Sequence, residues 1–249
     1  MKTGMLRRIF ALAPLAFALS LAACSRKDPP APPLARVGPD CLFVPKGFGP
    51  AGTTQVKVEI VASGLEVPWG IAFLPGGDWL ISERPGRVRL FQNGKLAPQP
   101  VVTIAATTSG EGGLLGIAAS PAFATDHLFY VYVTGGEGEA RENRVVRYRL
   151  ADDHRSATID KVVVDHIAGA VYHDGGRLRF GPDGMLYVGT GDARQPDRSQ
   201  LLASPNGKLL RLTPDGGVPA DNPFPNNPAF LTGIRNTQGF DWLDPDRKS

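Results

Sequence analysis

The side chains best placed for chemistry lie in one short stretch, His173 to Asp192, HDGGRLRFGPDGMLYVGTGD. His173 and Arg177 flank a glycine pair, and Asp192 closes the segment. An imidazole takes up or releases a proton near neutral pH, so His173 is a candidate general base. A histidine beside glycines fits a hydrogen-bonded structural role as well. Arg177 could pair with a carboxylate or cover an aromatic ring. Asp192, at a strand end, could cap a turn. Two further loops carry polar candidates. Arg235 and Asn236 lie between Gly233 and Gly239, where the asparagine could also bond its own backbone. Glu111 lies in SGEGG (109–113), as a site carboxylate or a solvated loop acid.

Other chemistries find little support. The histidines at 127, 154, 166 and 173 have no zinc-site spacing. No Gly-x-Ser-x-Gly nucleophile elbow occurs. Gly135-Gly-Glu-Gly138 lacks the spacing and the βαβ context of a dinucleotide fingerprint.

The elements that must hold these groups read as short strands. Leu178, Phe180, Met185, Tyr187 and Val188 give the partly alternating pattern of a half-buried hairpin. Pro182, Asp183 and Gly184 supply its turn. The unit recurs: an apolar strand, a proline-centred turn and a second apolar strand. Copies run from Gly70 to Ile81, from Gly116 through Pro121 to Val133, and from Leu178 to Val188; a fourth begins at Gly239. Their prolines, at 75, 121, 182 and 245, lie 46, 61 and 63 residues apart. Further strands fall between, at Arg87 to Phe91, Arg144 to Leu150 and Lys208 to Leu212. Four short strands in each unit of about 50 residues is the pattern of β-propeller blades. An additional strand is expected near Val56, where VKVEIVASGL alternates. No long helical periodicity occurs beyond residue 24, and 30 Gly and 23 Pro fall at intervals, as turns would require. The expected fold is all-β.

Lys2, Arg7 and Arg8 precede an apolar run from Ile9 to Ala23. Fifteen residues are short of the roughly 17–25 that span a membrane, and the order matches an export signal. Leu21-Ala22-Ala23-Cys24 resembles a bacterial lipobox, which implies lipidation of Cys24. The expected layout is a lipoprotein signal over 1–23, a Pro-rich tether over 24–55 and a propeller domain over 56–249. The resemblance places the protein on the periplasmic side of the outer membrane, with the lipid as its only membrane contact. Cys41 is then a single, inert thiol. With the three signal-peptide cations set aside, 24 basic residues face 24 acidic ones. That balance, with no basic stripe, argues against a nucleic-acid partner.

Five segments in order resemble the soluble quinoprotein aldose sugar dehydrogenases of the glucose/sorbosone dehydrogenase family. They are PWGIAFLPGGDWLISERPGRVRLF (68–91), GEGGLLGIAASPAF (110–123), YHDGGRLRFGPDGMLYVGTGDA (172–193), GKLLRLTPDGGVPADNPF (207–224) and GIRNTQGFDW (233–242). The resemblance implies a six-bladed β-propeller, of which this chain holds about three blades and the start of a fourth. It implies an enzyme that uses pyrroloquinoline quinone (PQQ) and calcium to oxidise the C1 hydroxyl of an aldose to a lactone and passes electrons to an acceptor it does not identify. His173 matches the family's base, Arg235 and Asn236 match residues that contact the cofactor, and Glu111 falls near a position facing it. Most calcium ligands are expected beyond residue 249, so the chain is expected to be weakly active or inactive. Two other readings remain: a non-catalytic sugar- or protein-binding propeller, and a calcium-dependent lactonase. The latter needs a ring of carboxylate and amide ligands that the sequence does not assemble.

Overall fold

The computed structural model describes residues 57–242, together with strands β1 (Ala35–Arg36) and β2 (Leu42–Phe43), which pair antiparallel. The expected export signal, Cys24 and Cys41 lie outside the described residues, as does Pro245 of the fourth repeat. The β1–β2 pair belongs to one compact unit, and the chain from Val58 onward forms another.

The second unit is built from three antiparallel meanders. The first blade holds β3 (Pro68–Phe73), β4 (Trp79–Glu83), β5 (Arg87–Gln92) and β6 (Lys95–Leu96), with β7 (Val102–Thr103) also paired to β5. The second holds β8 (Leu114–Ala119), β9 (Leu128–Gly135), β10 (Glu142–Leu150) and β11 (Ala157–Ala168). The third holds β12 (Gly175–Phe180), β13 (Leu186–Thr190), β14 (Leu209–Leu212) and β15 (Ala229–Leu231). Strand order follows chain order in each, and β3, β8 and β12 lie side by side as the inner strands. Among the described residues the only α-helical segment is the turn α1 (Phe123–Asp126).

Burial on both faces explains the composition of the middle blade. On β9, Phe129, Val131 and Val133 pack into the core shared with the first blade, while Tyr130 and Tyr132 pack into the core shared with the third. Successive strand residues point to opposite faces, so LFYVYV must be apolar throughout. Each such side chain contributes about 1.5–3 kcal/mol on burial. The tyrosine hydroxyls reach out of the core: Tyr130 Oη donates to the Pro214 carbonyl at 3.0 Å and Tyr132 Oη to the Asp174 carbonyl at 2.7 Å.

Every inner strand carries a register shift near its start, between Pro68 and Gly70, Leu114 and Ile117, and Gly175 and Leu178. Such bulges re-aim the residues that enter the strand. Glycine at 116 lets neighbouring inner strands approach, because a Cβ there would sit 2.1 Å from the Gly176 carbonyl oxygen.

The strand expected near Val56 does not form. Residues 57–67 carry no strand, and Val58, Ile60 and Val61 are exposed. Alternation alone makes no strand without an edge to pair with. The fourth repeat likewise forms no strand over 239–242; Trp242 instead packs edge-on against Tyr187, with centroids 5.0 Å apart.

Gly116→Ala is expected to lower stability by about 2 kcal/mol, because backbone cannot give way as a flexible side chain would. Urea unfolding measures it, and an unchanged midpoint would mean that the inner strands are not so closely packed.

Candidate active site

Four loops converge at the end of the blades where the inner strands begin. They precede β8 (Glu111), precede β12 (His173), follow β13 (Asp192) and follow β15 (Arg235 and Asn236). Antiparallel pairing of β12 with β13 sets Gly175 opposite Thr190, so the two ends of the hairpin meet.

His173 has a left-handed backbone, φ +68°. That conformation costs an L-residue roughly 1–2 kcal/mol, and several bonds hold it. Its N–H donates to Glu111 Oε2 at 2.8 Å, and its carbonyl accepts from the Ala193 N–H at 3.2 Å. Gly191 backs directly onto it: a Cβ there would lie 1.8 Å from the His173 carbonyl oxygen. Here only glycine fits.

The imidazole Nδ1 lies 2.8 Å from Asp192 Oδ1. An ionised carboxylate only accepts, so Nδ1 carries the proton, and in the neutral imidazole Nε2 keeps its lone pair. The Asp192 side chain is 4% exposed and that of His173 15%, so the pair is shielded but reachable. The same Asp192 oxygen accepts from the Arg194 N–H at 2.8 Å, so Asp192 both caps its turn and orients the histidine.

Asn236 bonds other loops rather than its own. Its Oδ1 accepts from the Gly175 N–H at 2.9 Å, and its Nδ2 donates to Glu111 Oε2 at 3.0 Å. Both ends of the amide are used, which fixes its orientation. The Arg235 carbonyl accepts from the Asp192 N–H at 2.9 Å. Its side chain is exposed, and among the described residues no hydrogen bond or ion pair holds it. Arg177 lies apart from this group, on β12. It covers the Trp69 ring at 4.5 Å and donates from Nε to the Gln238 carbonyl at 2.8 Å. Burial, followed by the charge of Arg179, pushes the Arg177 pKa down.

A buried layer that sequence reasoning missed supports the site. Asp174 Oδ1 accepts from Asn143 Nδ2 at 3.1 Å and from the Ala170 N–H at 3.0 Å. Its Oδ2 accepts from Arg141 at 3.3 Å. Burial first, and then the Asp174 charge, push the Tyr132 hydroxyl well above the usual tyrosine range, so it stays a donor. Arg141 also donates to the Ser109 hydroxyl and carbonyl, both at 2.7 Å. A groove of about 880 Å³ is lined among others by Arg141, Val171, Arg194, Gln195 and Arg198, with Glu137 and Glu139; His173, Asp192, Arg235 and Asn236 do not line it. The only signal in sequence for this layer is the aspartate directly following His173.

The family model described as glucose/sorbosone dehydrogenase matches residues 65–248. Aldose sugar dehydrogenase YliI of Escherichia coli K12 is 33% identical over 200 residues, covering 76% of this chain and 54% of its own length. Among solved structures, an oxidoreductase (glucose dehydrogenase) from Thermus thermophilus superposes with a TM-score of 0.71 at 44% identity, covering 76% of this chain and 59% of its own. The PQQ-bound aldose sugar dehydrogenase of Streptomyces coelicolor gives 0.66 at 40% identity, with 72% and 54% covered. The chain spans about half the length of the curated relatives it matches.

Glu111→Ala removes the acceptor shared by the His173 N–H and Asn236. Unfolding free energy is expected to fall by about 1–3 kcal/mol, and by less for Glu111→Gln, which keeps a carbonyl oxygen. Equal losses for both variants in thermal unfolding would show that the shared acceptor is not what matters.

Proposed function

The chain belongs to the glucose/sorbosone dehydrogenase family, and from that premise we propose that the protein oxidises the C1 hydroxyl of an aldose to a lactone with PQQ. The observation that carries this is the His173–Asp192 pair, 2.8 Å apart, which leaves Nε2 free at a partly open position.

The residues present fit one side of an anionic quinone. Arg235 is exposed next to the locked Asn236, and its charge has no protein partner among the described residues. A guanidinium suits a carboxylate or a quinone oxygen that gains negative charge. Among the described residues no group of three or more His, Cys, Asp and Glu side chains could hold a metal, so calcium is assigned neither residues nor a step.

PQQ, when bound, supplies the acceptor for a hydride from C1. His173 Nε2 takes the proton of the C1 hydroxyl as that hydride leaves, and the C1–O bond becomes the lactone carbonyl. Asp192 stabilises the imidazolium so formed and keeps the ring aimed. Arg235 offsets the charge that develops on the acceptor, and Asn236 fixes the loop from which Arg235 projects. Glu111 holds that loop against His173.

Two variants test the assignment in a version of the protein as long as its curated relatives, reconstituted with PQQ and calcium and assayed with an artificial electron acceptor. His173→Ala is expected to lower kcat about 10²–10⁴-fold while PQQ binding is retained. Arg235→Ala is expected to weaken PQQ binding, followed by absorbance, about 10–100-fold. Unchanged turnover removes His173 from the mechanism. An absence of saturable PQQ binding by that full-length version would instead favour a non-catalytic propeller.

A further inference from the structure

Lys208, immediately before β14, has no accessible surface. Its ammonium donates to three backbone carbonyls, those of Arg198 at 2.8 Å, Ser199 at 2.9 Å and Asn206 at 2.9 Å. Among the described residues no carboxylate pairs with it. A buried cation with only neutral partners is costly, and burial pushes its pKa below the ordinary lysine value. Methionine would fill the same space without that cost. What methionine lacks is the ability to hold three carbonyl oxygens together.

All three carbonyls belong to the loop between β13 and β14, which also carries Asp192. On one side the Arg198 N–H donates to the Gln195 carbonyl, and the Gln195 N–H to that of Asp192, both at 3.0 Å. On the other, Asn206 Nδ2 and the Gly207 N–H donate to the Gly191 carbonyl at 3.0 and 2.9 Å. Both flanks of the Gly191–Asp192 peptide therefore run back to the ammonium.

We propose that Lys208 is a positioning residue: by drawing the Arg198, Ser199 and Asn206 carbonyls together, it fixes the Asp192 carboxylate against His173 Nδ1. It thereby sets which imidazole nitrogen is free. Its importance for turnover rests on the reading of His173 as the base; the positioning itself does not.

Nitrogen-15 NMR of the histidine rings in the full 249-residue chain tests this. His173 is expected as the Nδ1–H tautomer, with a slowly exchanging proton. In Lys208→Met that proton is expected to exchange fast, and His173 to show mixed tautomers. His127 should stay unchanged, since its partner Asp152, at 3.0 Å, is outside the clamped loop. In Lys208→Ala, added methylammonium is expected to restore the Nδ1–H form. If Lys208→Met does not fold, Asn206→Ala carries the same expectation in weaker form, because it removes one of the two donors that tie the Gly191 carbonyl to the clamp and leaves the ammonium in place. An unchanged His173 tautomer in a folded variant overturns the proposal. So does an equal change at His127, which would mark general loosening. The readout needs neither cofactor nor turnover, so a failure of PQQ binding would strike the proposed function alone.

Discussion

One carboxylate oxygen, Glu111 Oε2, ties together the loops on which the site depends. It accepts from the backbone of His173 and from the side chain of Asn236, and so joins the entry to the second blade, the entry to the third and the exit from the third. Without it, a histidine at φ +68° would tend to relax toward a more favourable backbone. The imidazole would then lose its alignment with Asp192. The strain is small, and it persists because backbone, side chain and the adjoining Gly191 all specify the same conformation.

The blades make that hub rigid. Strands buried on both faces leave their side chains little freedom, and Tyr132 carries the constraint upward from the core to the Asp174 carbonyl. Asp174 is the next residue after His173, and its carboxylate gathers Arg141, Asn143 and the Ala170 N–H beneath the site. The packing that stabilises the fold thus also positions the chemistry. The His173 imidazole is thereby shielded yet reachable.

Much of this was legible from residue types. Alternating apolar residues around Pro182, Asp183 and Gly184 specify the hairpin, and the same unit at Pro75 and Pro121 specifies the other two blades. The segment near Val56 shows the limit: alternation marks a residue's face but not its partner, and no strand forms over 57–67. The orienting role of Asp192 was hidden for a different reason. Its contact with His173 depends on the register shift between Gly175 and Leu178, which slides the hairpin ends past simple pairing. Lys208 reads as an ordinary cation at the start of a strand, yet its ammonium is enclosed by the carbonyls of Arg198, Ser199 and Asn206, which no strand pattern marks. Arg177 had two readings, and the one that holds is the aromatic cover, over Trp69.

The central claim is that His173 takes a proton while hydride leaves C1 of an aldose. The most direct measurement is the rate of aldose oxidation by a PQQ-reconstituted version as long as the curated relatives, with deuterium at C1 compared with deuterium at C2. A several-fold slower rate for the C1-labelled sugar, with no change for the C2-labelled one, is the expected result. Equal rates for both in single-turnover reduction of the cofactor would contradict it.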